Sequence, residues 1–497
     1  MPRYSYDRLT ALDHSFLFLE RPHAPLHVGT VALHEVGALQ SREGGVDIDL
    51  VRRGIAGVLH RIPRYRQRLA WIPVEGTPVW VDDEGFNLDY HVRHTSLPRP
   101  GDAAQLRQLA ARVMAQRLDR SRPLWEMWVV EGLEDNHFAL ISKVHHCMID
   151  GVSGVDLMNV LMSQSPDAEI FEPAPFVPRP APTSFELLRD ELIRRAKLPF
   201  EALRDTRKLL REAEDARREL SVRVRALREL LGGALQRIAP TPLNERVSPH
   251  RRLDWLVLEL DELKAVRRAL GGSLNDVVLT IVTGAVRRFL DQRHFPIEGI
   301  DFRVMAPVSV RASNERGRLG NRVSAWIVPL PLAEPDPALR LKTLAAFTEE
   351  LKRTRQAVAA EVLTQAADWT PATLLSLAAR NATRQLPFHL VVTNVPGPQL
   401  PLYLLGSRML ETYPVVPLLD GLGLGIALFS YDGKLCWGFD ADWDLVPDLE
   451  QFVGFVRESF DELRDIARRA RPEPKRPAAG RRSAARGSTP PAADPQP

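Results

Sequence analysis

The chain is poor in cysteine, with only Cys147 and Cys436 among its 497 residues. Two cysteines exclude a disulfide framework and favour a reducing compartment, so we expect a cytoplasmic protein. The first 13 residues carry four charged side chains and no long apolar core, so they do not resemble a secretory signal. No stretch approaches the roughly 18 consecutive apolar residues of a membrane-spanning helix, and we expect any membrane contact to be peripheral.

Neither positive nor negative charge is in large excess over most of the chain. The formal net charge is +3, and after residue 467 eight basic residues stand against two acidic ones. The basic excess therefore lies in the tail, which argues against a nucleic-acid partner for the rest of the molecule. Hydrophobic residues make up 44% and charged residues 26%, the proportions of an ordinary globular protein.

Several motifs of common enzyme classes are missing. The sequence contains no Walker A motif, and the glycine-rich run at 421–425 lacks the remainder of a dinucleotide loop, so we predict a turn there. Ser153 does not have the flanking glycine spacing of a nucleophile elbow. The histidines do not show the spacing of metal ligands, and we expect no metal and no cofactor.

A length of 497 residues exceeds what one core usually organises, so we expect two domains of roughly 200 residues each. Proline clusters after residue 166, which predicts an extended connector, and charge-rich helices follow over 184–231. The predicted segments are an N-terminal domain (1–165), a connector with charged helices (166–250), a C-terminal domain (251–466) and a disordered basic tail (467–497).

Strands and helices alternate in both halves, which predicts two α/β domains. Apolar runs predict strands at 31–34, 79–81, 125–130, 138–144, 253–260, 304–308, 325–330, 390–393, 424–431 and 435–439. Helical periodicity predicts helices at 102–118, 152–162, 263–270 and 273–290.

Two adjacent histidines, His145 and His146, follow a predicted strand and precede Asp150 and Gly151. Successive strand residues point to opposite faces, so only one of the two histidines can face a given cleft. An imidazole there is suited to removing a proton from a hydroxyl group. Gly151 allows a sharp turn into the next helix, and Asp150 either caps that helix or pairs with an arginine.

This His-His-x-x-x-Asp-Gly pattern resembles the signature of the superfamily that includes chloramphenicol acetyltransferase and peptide-synthetase condensation domains. Further segments narrow the resemblance to the bacterial wax ester synthase/diacylglycerol acyltransferases, and together they run in order from about residue 9 to about residue 463. These segments are Pro25-Leu26-His27-Val28-Gly29, Arg122-Pro123-Leu124-Trp125-Glu126, Ser273-Leu274-Asn275-Asp276-Val277, Pro307-Val308-Ser309-Val310-Arg311 and Thr393-Asn394-Val395-Pro396-Gly397-Pro398.

The resemblance implies two chloramphenicol-acetyltransferase-like domains, with mixed sheets packed by helices and an active site at the domain interface. It implies an O-acyltransferase that moves a long-chain acyl group from acyl-CoA, a substrate rather than a cofactor, to a fatty alcohol or a diacylglycerol. His146 is the implied general base in a direct transfer without an acyl-enzyme. His145, Asp150 and Gly151 belong to the same implied motif.

Further residues are expected in or near the site, some of them with more than one interpretation. Asn275 either neighbours the active centre or starts a helix, because Ser273-x-x-Asp276 is similar to a capping box that would make Asp276 structural. Pro123, Leu124 and Trp125 are expected to pack near the site. Asp150 is expected to hold the site's structure, with Arg311 as its candidate partner. Cys147 as a nucleophile is the weaker alternative, since neighbouring strand residues point apart.

Two alternative functions remain open. One is a condensation-type acyltransferase whose donor is bound to a carrier protein, and the other is a catalytically silent lipid-binding protein. For the acyltransferase, lipid substrates suggest peripheral contact with the inner face of a membrane or with lipid bodies, through apolar surface or through the basic tail.

Overall fold

The computed structural model describes residues 4–74, 76–148, 160–167, 170–196, 238–309, 323–353 and 386–470. The strands are β1 (Asp7–Arg8), β2 (His27–Glu35), β3 (Gln67–Trp71), β4 (Pro78–Asp82), β5 (Val92–Ser96), β6 (Trp125–Glu131), β7 (His137–His145), β8 (Met162–Ser163), β9 (Arg251–Glu259), β10 (Arg303–Ser309), β11 (Val323–Pro329), β12 (Leu390–Pro396), β13 (Tyr403–Leu404), β14 (Ser407–Val415), β15 (Leu424–Tyr431) and β16 (Lys434–Asp442). The named α-helices are α1 (Ala11–Leu19), α2 (Ile48–Val58), α3 (Leu88–His91), α4 (Ala103–Ala115), α5 (Leu260–Leu270), α6 (Leu274–Gln292), α7 (Pro337–Arg353) and α8 (Leu449–Ala470).

A seven-stranded mixed sheet contains most of the N-terminal strands, in the order β5-β6-β7-β2-β14-β13-β8. Its β5–β6 pair is parallel, and its other pairs are antiparallel. The strand β7 lies between β6 and β2, and its last residue, His145, is directly opposite His27. The two histidines therefore meet at one end of this sheet.

A six-stranded mixed sheet in the C-terminal half has the order β11-β10-β12-β15-β16-β9. The long helix α6 packs in the core beside it, and most of its side chains from Asp276 to Leu290 are buried. The helix begins at a capping box, in which the Ser273 hydroxyl accepts from the Asp276 amide and the Asp276 carboxylate accepts from the Ser273 amide. The sequence signal for the start of this helix is therefore confirmed.

The two halves of the chain interlock, because β14 comes from the C-terminal half and pairs with β2 in the first sheet. Gly438 in β16 leaves room for the carbonyl of Pro414 in β14, where a Cβ atom would collide with it. At the same junction the rings of Trp255 and Tyr413 stack, with centroids 4.8 Å apart. The strand β14 therefore connects the two sheets, since it pairs within the first and packs against β16 of the second.

The connector lies over a small sheet with the order β1-β4-β3. Residues 170–183 form neither helix nor strand, as their prolines predict, and a helix follows over 184–196. The guanidinium of Arg179 pairs with both carboxylate oxygens of Asp82 at 2.9 Å. On the helix, Leu187 packs against Ile72 and Val79. The remainder of the predicted 184–231 helices lies outside the described residues.

The predicted strands are confirmed as β2, β4, β6, β7, β9, β10, β11, β12, β15 and β16, with boundary differences of a few residues. Of the predicted helix 152–162, residues 152–159 lie outside the described residues, and Met162 begins β8 instead. Among the described helices, none is by itself both long and apolar enough to cross a bilayer, while α5 and α6, bent by 97°, meet those limits as a pair.

Candidate active site

The two adjacent histidines occupy a strand end and the turn that follows it. His145 is the last residue of β7, and His146 opens a single 3₁₀ turn, His146–Met148. The amide of His145 donates to the carbonyl of Leu124 at 3.0 Å, and the amide of His146 donates to the carbonyl of Leu26 at 2.9 Å. The segments before β6 and β2 thus anchor the backbone of both histidines.

His145 is fully buried and points into the protein. Its Nδ1 accepts a hydrogen bond from the amide of Cys147 at 3.2 Å. A nitrogen that accepts cannot carry a proton, so a ring proton of His145 lies on Nε2. That Nε2 lies 3.5 Å from Oε1 of Glu20. His145 therefore links a buried carboxylate to the backbone of the turn.

His146 occupies a different environment. Its side chain is only partly buried, and its ring stacks on the ring of Phe16, with 3.8 Å between centroids and 24° between planes. Burial is the main cause that lowers the pKa of His146 to about 4, and the neighbouring His145 contributes to this lowering. The imidazole is therefore neutral at neutral pH, which is the form that accepts a proton.

A buried group of charges lies behind the histidines. The Glu20 side chain is 1% exposed and forms ion pairs with Arg117 at 2.9 Å and Arg120 at 2.7 Å. His27 Nε2 lies 3.5 Å from the same carboxylate. Burial lowers the pKa of His27 to about 4, so His27 is neutral here.

Three residues of the Pro25–Gly29 segment have structural roles beside the site. Leu26 supplies the carbonyl for His146, and His27 lies opposite His145. At Gly29 a Cβ atom would lie 2.5 Å from the carbonyl oxygen of Ser142 and 2.9 Å from the Met114 side chain. The missing side chain therefore lets α4 pack closely on the sheet.

Pro123, Leu124 and Trp125 are buried behind the histidines. The Trp125 indole donates to the carbonyl of Tyr65 at 2.8 Å, and its ring stacks on that of His91 at 4.7 Å. These contacts hold Trp125 in the interior beside the two histidines.

Cys147 is 2% exposed. Burial raises the pKa of its thiol well above the ordinary value, and the nearby carboxylate of Asp13 adds to that effect. The reactive thiolate is therefore disfavoured, which argues against Cys147 as the nucleophile.

On the C-terminal half, Asn275 and Asp276 have separate surroundings. Asp276 is buried and accepts from the Ser273 amide and from the Thr348 hydroxyl, each at 2.7 Å. Asn275 is exposed, and its Oδ1 accepts a hydrogen bond from Nδ2 of Asn394 at 2.7 Å. Two sequence motifs, one on α6 and one on β12, therefore meet through their asparagines.

Asp150, Gly151 and Arg311 lie outside the described residues, so the roles expected for them stay predictions. Within the described ranges, histidine, cysteine and acidic side chains do not form a group that could hold a metal ion. Sequence patterns did not indicate Phe16, Glu20, Arg117 or Arg120 as residues of the site. Arg117 and Arg120 lie 97 and 100 residues from Glu20 along the chain, so only the fold brings these charges together.

The chain is similar in sequence to one family along most of its length. Residues 9–278 match the family model described as the wax ester synthase/diacylglycerol acyltransferase catalytic domain, and residues 319–464 match the model of the C-terminal domain of that family. A Mycobacterium tuberculosis protein named as a diacylglycerol O-acyltransferase is 32% identical over 477 residues, which cover 93% of this chain and 97% of that protein. Another from the same organism with such a name is 31% identical over 471 residues, covering 92% and 90%.

Solved structures share the fold. The wax ester synthase/diacylglycerol acyltransferase from Marinobacter aquaeolei superimposes with a TM-score of 0.65 at 25% identity, covering 93% of this chain and 99% of that one. The starter condensation domain of rhizomide synthetase superimposes with a TM-score of 0.56 at 14% identity, covering 93% and 94%. The second likeness concerns the fold alone.

Proposed function

The chain belongs to the wax ester synthase/diacylglycerol acyltransferase family, and from this premise we propose that it transfers a long-chain acyl group from acyl-CoA to the hydroxyl of a fatty alcohol or a diacylglycerol. The observation that carries the proposed mechanism is the contrast between the two adjacent histidines. His145 is buried against Glu20, whereas His146 is only partly buried and has a lowered pKa. This contrast supports His146 as the general base.

In the proposed reaction, the neutral imidazole of His146 takes the proton from the acceptor hydroxyl. The oxygen attacks the thioester carbonyl, and a tetrahedral intermediate forms. The carbon–sulfur bond then breaks, and the imidazolium gives its proton to the departing thiolate of CoA. The base is thereby restored, and the products are one ester and one free thiol.

Direct transfer is supported by the surroundings of Cys147. A covalent alternative would need a thiolate within reach of the thioester. The thiol is buried and its pKa is raised. Cys147 is therefore unsuited to accept the acyl group, which supports direct transfer to the hydroxyl substrate.

We assign Asn275 a substrate-binding role beside its structural one. Its Oδ1 is engaged by Asn394, which leaves the amide NH₂ group as the donor for a polar group of a substrate. Asp276, in contrast, is occupied by the helix cap and by Thr348. Asn275→Ala is therefore expected to reduce kcat or raise KM while the helix start stays intact.

The experiment that tests the function is release of free thiol from palmitoyl-CoA by the purified protein, with hexadecanol or a diacylglycerol as acceptor. We expect release that depends on the acceptor, and a loss of about 10²- to 10⁴-fold in His146→Ala. His137→Ala is the matched control, because His137 lies at the opposite end of β7. Full activity in His146→Ala would refute the assigned base.

Two other functions would give different results in this assay. A condensation-type enzyme whose donor must be bound to a carrier protein would release no thiol from free acyl-CoA but would act on an acyl group on that carrier. A lipid-binding protein without catalysis would bind palmitoyl-CoA and release no thiol from either donor. Turnover of free acyl-CoA supports the first proposal over both.

We further propose a cytoplasmic enzyme that contacts the inner face of a membrane or a lipid body peripherally, since its acceptors partition into lipid. Large apolar side chains are exposed on the β3–β4 hairpin, Trp71 by 43% and Val74 by 99%, and on the 184–196 helix, where Phe185 is exposed by 74%. Replacing Trp71 and Val74 with serine is expected to reduce co-flotation with phospholipid vesicles. Leu339→Ser, which alters an exposed apolar residue on α7, is the control.

A further inference from the structure

We infer that Glu20 is a positioning residue for His146 and that it acts through His145. This inference rests on the proposed function, since it concerns the base of that reaction. Glu20 caps the C-terminal end of α1, and its amide donates to the carbonyl of Phe16 at 3.1 Å. The residue that contacts His145 and the residue that stacks on His146 are therefore held together on one helix end.

The charge of Glu20 is maintained by its neighbours. Burial alone raises the pKa of this carboxyl group, but its contacts with His145 and His27 lower the pKa well below its ordinary value. Arg117 and Arg120 both pair with Oε2, while Oε1 lies 3.5 Å from the ring nitrogens of both histidines. The carboxylate thus pairs with the two cations through Oε2, while Oε1 accepts from the Leu26 amide at 3.4 Å and lies near both histidines.

A chain of contacts leads from this oxygen to the base. The carboxylate favours a proton on Nε2 of His145, because that nitrogen faces it. The deprotonated Nδ1 of His145 then accepts the amide proton of Cys147 at 3.2 Å. This bond spans His146 from one side to the other, and we infer that it holds the backbone at the start of the 3₁₀ turn His146–Met148.

The segment that contains Glu20 holds His146 in two further ways. Phe16 stacks on its ring at 3.8 Å, and the Leu26 carbonyl accepts from its amide at 2.9 Å. A loss of the carboxylate would leave Arg117 and Arg120, whose side chains are 38% and 28% exposed, without their anion beside the buried His145. The ring of His145 would then lose its preference for the Nε2 proton, and the turn would lose its fixed geometry.

The first test is the steady-state kinetics of Glu20→Gln, an isosteric change that removes only the charge. We expect kcat to fall by about 100-fold with KM nearly unchanged, because misplacing a catalytic group by about 1 Å can cost that factor. Glu126→Gln is the matched control. Glu126 is also a buried carboxylate between two cations, Arg93 at 3.3 Å and Lys143 at 3.4 Å, and the described contacts do not join it to His145. Its kcat is expected to stay near that of the wild type.

The second test separates positioning from a general loss of structure. In a double-mutant cycle of Glu20→Gln with His145→Asn, we expect the double variant to be no slower than the slower single variant, because both changes break one chain of contacts. Nitrogen-15 spectra of the histidine rings are expected to show His145 protonated on Nε2 in the wild type and in Glu126→Gln, and an altered His145 signal in Glu20→Gln.

The inference and the proposed function would fail through different results. Wild-type kcat in a folded Glu20→Gln protein, losses that multiply in the double variant, or an unchanged His145 signal would overturn the inference and leave the proposed function intact. Wild-type protein without acyl transfer would overturn the proposed function, while the ring spectra would still test the link from Glu20 to His145. Should Glu20→Gln fail to fold, Glu20→Asp keeps the charge but shortens its reach, and the inference requires a kcat below that of the wild type.

Discussion

The ring of Phe16 stacks on the ring of His146, with 3.8 Å between the two centroids. This contact covers one face of the imidazole with an apolar surface and contributes to the burial that lowers its pKa to about 4. A base with this pKa is neutral throughout the physiological range. Such a base is not inactivated by protonation in this range, but its low pKa weakens the driving force for taking a proton from the substrate.

The first prediction concerns the pH dependence of the reaction. The base works in its neutral form, so kcat/KM falls only when the pH drops toward the folded-state pKa of about 4. We expect kcat/KM to be level from about pH 5.5 to about pH 8 and to decline below that range. Chromatographic measurement of the ester product over this range checks it. An inflection at the ordinary histidine value of 6.5 would contradict it.

The second prediction concerns Phe16→Ala. Removing the ring admits water to His146, so its pKa rises toward the ordinary value and the acid limb of kcat/KM moves to higher pH. We also expect kcat to fall by about 10-fold, because the imidazole loses a contact that orients it. Phe18→Ala is the control on the same helix, since the Phe18 ring packs on His14 at 4.9 Å. An acid limb that does not move would show that Phe16 has no influence on the pKa.

The third prediction concerns Cys147. In direct transfer the thiol takes no part, so Cys147→Ala is expected to keep its activity, with a loss of stability of about 1 kcal/mol from the small cavity. Because the thiol is buried and its pKa is raised, alkylating reagents are expected to react slowly with the folded protein. Cys436→Ala, the other buried thiol, is the control. A palmitoyl group trapped on Cys147 would require a different mechanism.

The fourth prediction concerns the start of α6. Ser273→Ala removes the hydroxyl half of the cap and is expected to lower the free energy of unfolding by about 1 kcal/mol. Asp276→Ala also removes the nearer acceptor of the buried Thr348 hydroxyl, which then has only the Ala345 carbonyl at 3.2 Å, and we expect a loss of about 3 kcal/mol. Urea unfolding of the three proteins measures both values. Equal losses would show that the bond to Thr348 adds nothing.

The fifth prediction concerns stability in acid. His34 is fully buried and stacks on Phe138, and burial lowers its pKa to about 4 from 6.5. As the pH falls below 6.5, the unfolded chain binds a proton that the folded protein excludes, so the free energy of unfolding decreases. Between about pH 7 and about pH 5 this histidine should account for a decrease of about 2 kcal/mol.

His34→Leu removes that titration, so its urea midpoint should depend less on pH than that of the wild type. The exposed His60 provides the control variant, His60→Gln. Equal pH dependence in wild type and His34→Leu would mean that the buried ring does not carry the predicted linkage.

Local patterns in the sequence determined the positions of many strands and the start of α6. Apolar runs predicted most of the long strands, and Ser273 with Asp276 predicted the start of α6, because strand propensity and capping depend on near neighbours. The strand β14 was missed, in part because Pro414 is unusual in a strand interior. The motif around His146 predicted the site by resemblance, and its position at a strand end is confirmed.

Only the tertiary structure decided which distant groups meet. Glu20 lies beside His145, Asn275 bonds to Asn394, and β14 pairs with β2, although long stretches of chain separate the members of each pair. Such contacts depend on strand register and on the packing of whole elements, which leave no local pattern. A buried carboxylate is stable only where its cations and donors converge on it, and that convergence is a property of the fold.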